Sequence, residues 1–471
     1  MKYAFIILIA GIICYHSCTF KSRGESAAAH YCGSCHLLPD PTHLTKDIWE
    51  KGIFPEMANY FVWDGRSTFD YANKTFYKKK GQTPMNDEDW EEMLGFYLSM
   101  APATSTIDTQ SYPMQGYFEE QLIDDIVATP TITAFAIDSA GDIYLSTLDS
   151  MFHYSLDDGL LDQSKSSGMF SQINLSADEP YLLDMGLISP NDNRSGSIKS
   201  INTSIMRDHS IILPGLKRPV HAVDHDSVIF ISQFGNVSGE LSMYHKKSRR
   251  TKTLLPLPGC YKFEIVDMDG DGLDELIAMC GQSQEGVYKI DLSDYSFERI
   301  LPFPPEHGIS DMDLEDLDGD GTPEIILTNG DNADYSIQVK DYHGLRIYER
   351  TSSGSYTESY FSHIDGASQV EVIKETDGSH AIVVSSFFPW DHKLAVQVLV
   401  PTDSDERYMK YQVAGADQGL WMVMDQYDID NDGDQDLILS CNQFAPGQIA
   451  SSPPQWNHSS NDLLLLINKT R

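Results

Sequence analysis

The chain has 471 residues, of which 41% are hydrophobic and 22% charged, and this composition excludes disordered, collagen-like and polytopic membrane proteins. The length is too great for one ordinary domain, so two to four domains or one large repeat architecture are expected. Seventy Asp and Glu against 33 Lys and Arg give a formal net charge of −37, which argues against proteins that grip a nucleic-acid backbone and against polybasic membrane-surface proteins.

The N-terminus has the pattern of an export signal. One positive charge precedes an apolar run over residues 3–13, which is too short to span a bilayer. No other stretch of the sequence offers eighteen consecutive apolar residues. The sequence therefore predicts an exported protein of the bacterial cell envelope, facing the periplasm or the cell exterior.

A cysteine close to the expected cleavage site is typical of bacterial lipoproteins. Cys18 follows the small residue Ser17, which suits lipoprotein processing better than the surroundings of Cys14 do. We predict a signal peptide over residues 1–18 with lipidation at Cys18, followed by a polar tether over 19–26. An ordinary secretory peptide cleaved nearby is the alternative.

The sequence Cys32-Gly-Ser-Cys35-His36 is a CxxCH motif, the attachment pattern of c-type haem. Its two thiols are spaced to reach the two vinyl groups, and the histidine that follows is an axial iron ligand. A zinc site would need a second pair of ligands at short spacing downstream, and the sequence has none. We therefore predict one covalently bound haem c.

A second helix is predicted after this motif. Asn86 can cap its N-terminus, with Asp89 three residues on, and Ala101-Pro102 ends it. One apolar face at helical spacing is formed by Trp90, Met93, Leu94, Tyr97 and Leu98. A C-terminal helix that crosses the haem helix is typical of class I cytochromes c, so residues 27–103 are predicted to form a small all-α cytochrome domain.

The sixth iron ligand has several candidates. Met57 follows a short helix around Trp49, whereas Met85 stands immediately before the helix cap Asn86, an awkward place for a ligand. A thioether ligand would raise the reduction potential relative to two histidines. Met57 is preferred; Met85, His43 and an open site remain alternatives, and any Met that is not the ligand would pack against the haem.

Residues 104–114 are polar and lack periodicity, which predicts a linker. Beyond it, over 115–471, short β-type runs alternate with turns, and one acidic motif recurs three times. Each copy places Asp at positions 1, 3 and 5, Gly at position 6 and Asp or Glu at position 9, and an apolar run follows. The copies begin at Asp267, Asp316 and Asp428.

Carboxylates at positions 1, 3, 5 and 9, with the carbonyl of position 7, would form an oxygen cage suited to Ca²⁺ rather than to Mg²⁺. An EF-hand is excluded because its Glu at position 12 is replaced by apolar residues. A solvated acidic turn without metal is the alternative for each loop. The predicted ligands are Asp267, Asp269, Asp271, Leu273 and Glu275; Asp316, Asp318, Asp320, Thr322 and Glu324; and Asp428, Asp430, Asp432, Asp434 and Asp436.

The spacing of the repeats predicts the architecture. The first two loops begin 49 residues apart, and the third follows after 112, or two steps of 56. Degenerate copies without the full set of aspartates occur around residues 370–384, 220–231 and 137–145. Dividing the 357 residues of this region by about 50 predicts a β-propeller of seven blades, with an all-β fold distinct from the preceding domain.

Several long loops follow the same strand of successive repeats, at 234–239, 329–344, 387–391 and 443–456. Equivalent positions of propeller blades share a face, so these loops are expected at one end of the disc. Loops carry function more often than cores do, although packing of the loops on one another would explain them equally well.

With these motifs in place, the chain resembles a family of exported, often lipid-anchored bacterial proteins that join a monohaem cytochrome c domain to FG-GAP/VCBS-type calcium-binding repeats. The resemblance implies haem binding, calcium binding and a cell-envelope location, but no substrate. In relatives, Pro followed by Leu or Ile often stands at positions 84–85, which favours Met57 as the ligand. The residues that carry the resemblance lie at 32–41, 54–57, 87–102 and 329–335 with the Tyr-His-Gly that follows, and in the calcium loops.

Three functions remain open. The preferred one is an electron carrier whose propeller docks a redox partner protein. A haem-linked dehydrogenase is disfavoured because the six Trp show no regular docking pattern. A binding protein for a glycan or an outer-membrane partner is the third. Among the remaining cysteines, Cys260 and Cys280 can form a disulfide in an oxidising compartment, or stay buried free thiols, as can Cys441.

Overall fold

The computed structural model describes residues 21–60, 69–70, 75–76, 85–105, 111–113, 116–176, 179–203, 207–282, 284–330, 339–375, 378–387, 389, 391–402, 406–443 and 461–469. The predicted lipidation site Cys18 lies outside these residues, as do parts of the predicted linker and of the long loops, including 331–338 and 444–460. Within the described ranges, no helix has the length and apolar character needed to cross a membrane.

The N-terminal part is a small helical unit. Its elements are α1 (Arg23–Tyr31), a 3-10 turn (Cys32–Ser34), α2 (Lys46–Ile48), a π-helical turn (Trp49–Ile53), α3 (Phe54–Tyr60), the hairpin strands β1 (Phe69–Asp70) and β2 (Thr75–Phe76), and α4 (Asp87–Met100). Helix α1 begins within the stretch that was expected to be a tether. Its N-cap is Ser22, whose side chain accepts a hydrogen bond from the backbone N–H of Glu25.

Helix α4 has the boundaries and the buried face that the sequence predicts. Asn86 caps it by accepting the N–H of Asp89 at 2.8 Å, and the helix ends before Ala101. Met93 and Tyr97 are buried on the side that faces α1 and α2. The apolar pattern of the sequence therefore marks the face on which this helix packs.

The two longest helices of this unit touch at a glycine. A side-chain carbon at Gly24 in α1 would lie 2.2 Å from the backbone oxygen of Glu92 and 2.6 Å from Cβ of Phe96, both in α4. Only glycine permits so close an approach of two helix backbones. The core below this contact is formed by Ala28, Cys32, Leu44, Ile48, Trp49, Phe54, Met85, Met93 and Tyr97.

The described residues of the rest of the chain form seven sheets of four or five strands, antiparallel except for one short edge strand, and their inner strands contact one another in a closed ring. This is a seven-bladed β-propeller, as the repeat spacing predicts. The first four blades contain β5 (Ala134–Ile137), β6 (Ile143–Ser146), β7 (Ser150–Ser155) and β8 (Gly159–Lys165); β9 (Phe170–Asn174), β10 (Tyr181–Asp184), β11 (Gly196–Asn202) and β12 (Arg207–Leu216); β13 (Pro219–His225), β14 (Val228–Gln233), β15 (Glu240–His245) and β16 (Arg250–Leu255); and β17 (Cys260–Val266), β18 (Glu275–Cys280), β19 (Gly286–Asp291) and β20 (Phe297–Pro302).

The last three blades contain β21 (Ile309–Glu315), β22 (Glu324–Asn329), β23 (Gly344–Arg350) and β24 (Tyr356–His363); β25 (Ala367–Lys374), β26 (His380–Ser386), β27 (Val396–Pro401) and β28 (Tyr408–Gln412); and β29 (Trp421–Tyr427), β30 (Asp436–Cys441) and β31 (Leu463–Asn468). The three degenerate repeats are the first hairpins of blades 1, 3 and 6, which confirms that they are repeat units. Apolar second and third strands fill the space between the blades, as in β22, whose six residues are all buried.

Two short N-terminal strands join blades formed by the end of the chain. The fourth strand of blade 7 is β4 (Phe118–Ile123), which pairs antiparallel with β31, so that Phe118 faces Asn468. Ahead of it, β3 (Tyr112–Pro113) adds a parallel fifth strand to β28 of blade 6. The ring is therefore closed by pairing of the two ends of the propeller sequence.

The inner strands have backbone N–H groups that donate to side chains of the preceding blade. Asp311 on β21 accepts the N–H of Val370 on β25 at 3.1 Å, and Asp313 accepts that of Val372 at 2.9 Å. Gln172 does the same for Ala222 between blades 2 and 3. Polar side chains near the axis thus tie neighbouring blades together and satisfy strand edges that would otherwise stay unpaired.

Candidate functional site

The predicted haem motif lies at the end of α1. The 3-10 turn places Cys32 and Cys35 one turn apart, with the N–H groups of Cys35 and His36 directed at the carbonyl of Cys32 at 3.2 and 3.5 Å. Both cysteines are free thiols: Cys32 is buried and Cys35 is exposed. The turn therefore presents two unbridged thiols and an imidazole at the edge of the apolar core.

The orientation of His36 leaves one ring nitrogen available. Its Nδ1 lies 2.7 Å from the carbonyl oxygen of Leu37, and because a carbonyl can only accept, Nδ1 carries the proton. The lone pair is then on Nε2, as in most metal-ligating histidines, whose other nitrogen donates to a carbonyl or carboxylate. This donor set fits an axial iron ligand.

Cys32 faces the apolar core of the helical unit. Its sulfur lies 3.7 Å from the sulfur of Met93, and burial, together with the nearby Cys35, raises the pKa of the Cys32 thiol to about 11. The group is therefore a neutral thiol at neutral pH and makes no ion pair. Because the thiolate is the nucleophilic form, a thiol in this position is a poor nucleophile at neutral pH.

Both candidate methionine ligands border the same core. Met57 lies on α3 and is half-buried, whereas Met85 precedes α4 and is buried. The rings of Trp49 and Tyr97 form an aromatic layer in this core, with their centroids 4.5 Å apart. His43, the third candidate, contacts the propeller, with its Nδ1 2.9 Å from Oε1 of Glu306.

The helical unit contacts one face of the propeller through a buried carboxylate. Glu306, in the connection between blades 4 and 5, accepts the backbone N–H of Asp40 at 3.0 Å, and Nδ1 of His43 lies 2.9 Å from the same oxygen. The hydroxyl of Tyr342 donates to the carbonyl of Glu306 at 2.8 Å, and its ring lies 4.6 Å from that of His43. These residues form the junction between the two units.

The junction lies at the end of the disc that carries the long loops. The described parts of these loops follow β14, β22, β26 and β30, the second strand of each blade, which confirms that they share one face. Connections from the last strand of a blade to the next blade, including the one with Glu306, lie at the same end. The haem motif and the long loops therefore belong to one side of the molecule.

The acidic loops lie at the opposite end, each between the first and second strands of a blade. Three carboxylates in each loop bring ligand atoms within 4.8 Å of one another, which is close enough for one cation to contact all three. These groups are Asp267, Asp269 and Asp271; Asp316, Asp318 and Asp320; and Asp428, Asp430 and Asp436. In the third loop, position 9 thus joins the group in place of Asp432.

The remaining predicted ligands shape the loops. One oxygen of each position-9 carboxylate accepts the N–H of the second loop residue, as Glu275 does from Met268 and Glu324 does from Leu317. The side chain at position 5 accepts the N–H of position 7, so that Asp271 holds Leu273 and Asp320 holds Thr322. Asp432 likewise accepts the N–H of Asp434 at 3.2 Å.

The acidic loops contain carboxylate oxygens without partners. Oδ1 of Asp269 and Oδ1 of Asp434 are buried, and neither accepts a hydrogen bond. Burial raises the pKa of Glu324 to about 7, and burial with the neighbouring Asp432 and Asp436 raises that of Asp434 to about 6. An uncompensated cluster of this kind is costly, and an oxygen-seeking cation would offset the cost.

Blade 6 carries a histidine where the other blades carry the position-9 carboxylate. His380 is the first residue of β26, the place held by Glu275, Glu324 and Asp436 in blades 4, 5 and 7. Its Nε2 lies 3.3 Å from a carboxylate oxygen of Glu315 in blade 5. The degenerate loop therefore replaces an acidic site by an imidazole–carboxylate pair.

A second charged cluster, absent from the sequence predictions, lies near the propeller axis. Nζ of Lys262 on β17 is 3.1 Å from Oδ1 of Asp311 on β21, and Glu264, Asp313 and Glu371 lie close enough to raise the pKa of Lys262 further. We call these five residues the axial cluster. The three acidic repeats share one further carboxylate near the axis. It stands three residues before the first Asp of each loop, at Glu264, Asp313 and Asp425.

Within the axial cluster, Glu264 is expected to limit stability at alkaline pH. Burial raises the pKa of Glu264 to about 8, and its Oε1 is buried without a partner. A carboxyl with a raised pKa binds a proton in the folded state that the unfolded chain releases, so stability falls as pH rises from about 5 towards 8. We expect Glu264→Gln to add about 1–2 kcal/mol at pH 8 and almost nothing at pH 5.

Urea unfolding at the two pH values measures this effect. The control is Glu298→Gln, which removes an exposed carboxylate that pairs loosely with Lys289 at 3.8 Å. If Glu264→Gln changed the free energy of unfolding equally at pH 5 and pH 8, Glu264 would already be ionised in the folded protein at pH 5.

The cysteines of blade 4 form a disulfide. Cys260 and Cys280 face each other on β17 and β18, and their sulfurs are bonded. In blade 7, Cys441 occupies the position equivalent to Cys280, where it faces Trp421 and is buried. The sequence had left both states open for the first pair, and the structure contains the bridged form.

Comparison with known proteins finds only distant similarities. No protein-family profile and no curated protein matches the chain. Among solved structures, it is similar to the WD40 domain of Pan2 from Neurospora crassa, with 11% identity, a TM-score of 0.48 and coverage of 76% of this chain and 100% of that one. It is also similar to a virginiamycin B lyase from Staphylococcus aureus, with 11% identity, a TM-score of 0.44 and coverage of 74% and 99%.

A further similarity is to the N-terminal domain of Nup159, with 10% identity, a TM-score of 0.44 and coverage of 78% of this chain and 99% of that one. Likenesses at this level carry no argument about function. The seven-bladed propeller rests instead on the sheet topology of the chain itself.

Proposed function

We propose that this protein is an exported electron carrier in which the helical unit binds one haem c and the propeller, stabilised by calcium, docks a redox partner. The observation that carries the proposal is the CxxCH turn: two free thiols, one turn apart, next to an imidazole whose Nε2 lone pair is available. A haem held there would supply one-electron chemistry. Cys32 and Cys35 would attach it, and His36 would ligate its iron.

The surroundings support the same proposal. Gly24 lets α1 and α4 cross at the backbone, and the aromatic layer of Trp49 and Tyr97 excludes water from the region beside Cys32. The Cys260–Cys280 disulfide suits an oxidising compartment outside the cytoplasm, in keeping with an envelope location and a lipid anchor at Cys18. The large negative charge favours a partner with a basic surface.

The calcium part of the proposal rests on the three acidic loops and their unpartnered oxygens. Carboxylates and backbone carbonyls are the ligands that Ca²⁺ prefers. Fourteen Asp and Glu lie in the loops, a fifth of the 70 in the chain, and three Ca²⁺ would change the formal charge from −37 to about −31. Most of the negative charge therefore remains on the surface for a basic partner.

Haem attachment is tested directly in a bacterial host that carries the cytochrome c maturation system. We expect the full chain to retain haem on a denaturing gel and to give a c-type pyridine haemochrome spectrum. Cys35→Ser should lose most of the stable haem, because one thioether bond remains at most. Cys441→Ser, at a cysteine of the propeller outside the CxxCH motif, is the control and should stain like the wild type; absence of covalent haem in the wild type would refute the proposal.

The axial methionine is tested by spectroscopy of the oxidised protein. We expect Met57→Ala to abolish the near-infrared band of Met-to-iron charge transfer and to lower the midpoint potential, because a weaker or different ligand replaces the thioether. Met85→Ala, which shortens a buried side chain of the same core, should keep the band. Loss of the band in Met85→Ala alone would reverse the assignment.

A further inference from the structure

A group of basic and imidazole side chains is buried directly behind the junction. Its members are His307, which follows Glu306, and Lys340, His343 and Arg346, which lie at the start of β23 and in the loop before it. Their exposed fractions are 7%, 3%, 0% and 8%, respectively. We call these four residues the basic cluster.

Two histidines of the basic cluster have ring nitrogens without partners. Neither Nδ1 nor Nε2 of His343 makes a hydrogen bond, although the residue is fully buried, and Nε2 of His307 is also unpartnered. Buried polar atoms are nearly always satisfied, because an unpaired group loses its hydration without compensation. Three such nitrogens in one place indicate that a further group belongs there.

The electrostatic surroundings of His343 show the sign of that group. Burial lowers the pKa of His343 well below its usual value, and Lys340, His307, His363 and Arg346 lower it further. No neighbouring carboxylate among the described residues raises it. A metal cation would meet positive charge there, whereas an anion would be stabilised by it.

Of the described carboxylates nearby, Glu358 and one oxygen of Glu306 are engaged, whereas Oε2 of Glu306 is buried without a partner. Glu306 accepts from Asp40 and contacts His43, and Glu358 lies 2.5 Å from Nη1 of Arg346. The other guanidinium contacts go to Asn329 and to the carbonyl of Tyr342, which fixes the position of the arginine. In a chain with only 33 Lys and Arg, this concentration of buried basic groups is not a consequence of composition.

We propose that the basic cluster binds a carboxylate, with His343 and His307 donating hydrogen bonds to it within the positive field of Lys340 and Arg346. Two sources have this chemistry. One is a propionate of the haem, since Tyr342 belongs both to the core of the helical unit and to the junction; this source rests on the proposed function. The other is a small organic acid from solution, which does not require the haem.

The test compares wild type with His343→Phe and His307→Phe. Both changes keep an aromatic ring, and the ring of residue 307 is stacked on Phe303 with a centroid distance of 4.5 Å, so packing is preserved. Without ligand, both variants should be at least as stable as the wild type, because unpartnered nitrogens are removed. If the histidines had a purely structural role, the two variants would instead be less stable than the wild type. The control is His245→Phe in β15, away from the junction.

Two measurements separate the sources, each on the full chain. Acetate and succinate are titrated into the haem-free protein by calorimetry; for an organic acid from solution, we expect binding that weakens at least about tenfold in His343→Phe and is unchanged in His245→Phe. For a propionate, we expect no binding of free acid by the haem-loaded protein, and a midpoint potential that differs from the wild type in His343→Phe but not in the control.

The proposal is overturned if neither acid binds to the haem-free or the haem-loaded chain and the midpoint potentials of the wild type, His343→Phe and His245→Phe agree. It is also overturned if His343→Phe and His307→Phe are both less stable than the wild type and bind the acids as tightly as the wild type does. Should the chain carry no haem at all, the calorimetry on the haem-free protein alone decides, so failure of the proposed function remains distinguishable from failure of this inference.

Discussion

Excess EDTA is expected to lower the melting temperature of the propeller by about 10 °C and to leave the haem spectrum unchanged. A ligand present at a hundred times its dissociation constant stabilises the folded state by about 2.7 kcal/mol, so three calcium ions bound as proposed would contribute about 8 kcal/mol. Dividing by the unfolding entropy of a unit of this size gives about 10 °C. The acidic loops lie at the opposite end of the disc from the helical unit, which is why the haem should be unaffected.

Differential scanning calorimetry with and without EDTA measures the effect, and readdition of Ca²⁺ should restore the melting temperature. Asp269→Asn should reproduce about a third of the loss, because it removes a ligand of one loop. Asp274→Asn in the same loop is the matched control, since this exposed carboxylate is not one of the grouped ligands. A melting temperature that does not respond to EDTA would refute calcium stabilisation.

Replacing Lys262 by Met is expected to cost about 3–5 kcal/mol at neutral pH, because the axial cluster would lose its cation while its carboxylates stay buried. Nearby carboxylates raise the pKa of Lys262, so its stabilisation is complete at neutral pH and is lost only as pH rises through the folded-state pKa. The cost should be smaller at pH 5 than at pH 8, since Glu264 is then protonated.

Urea unfolding of the two proteins at both pH values measures this cost. Lys289→Met is the matched control: Lys289 pairs with the exposed Glu298 at 3.8 Å, and its loss should cost less than about 1 kcal/mol. If both substitutions cost the same, the axial cluster contributes no more than an ordinary surface ion pair.

The repeat signal explains why so much of the propeller is predictable from sequence. The aspartates at 267, 316 and 428 mark the same turn in three blades, and the apolar runs after them mark the second strands. The helix cap at Asn86 is equally local, because a cap and its partner lie three residues apart. Interactions within a few residues leave a pattern that a single sequence retains.

The junction and the axial cluster leave no such pattern. His43 and Glu306 are 263 residues apart, and nothing in either neighbourhood specifies the other. Lys262 and Asp311 occupy equivalent positions of consecutive blades, but with opposite charge, so the repeat alignment conceals their contact. The unpartnered nitrogens of His343 become visible only when the surrounding side chains are in place.

The pairing of β4 with β31 has a consequence for biogenesis. Phe118 and Asn468 are 350 residues apart, so the ring cannot close until nearly the whole chain has been made and, if the protein is exported as proposed, translocated. The entropy of closing so long a loop makes this a late and slow step. Among the described residues, the helical unit contributes no strand to that ring, so the proposed haem attachment would not require a closed propeller. If the proposal holds, a stalled or C-terminally truncated chain should accumulate as a haem-bearing protein with an unclosed blade, exposed to proteases.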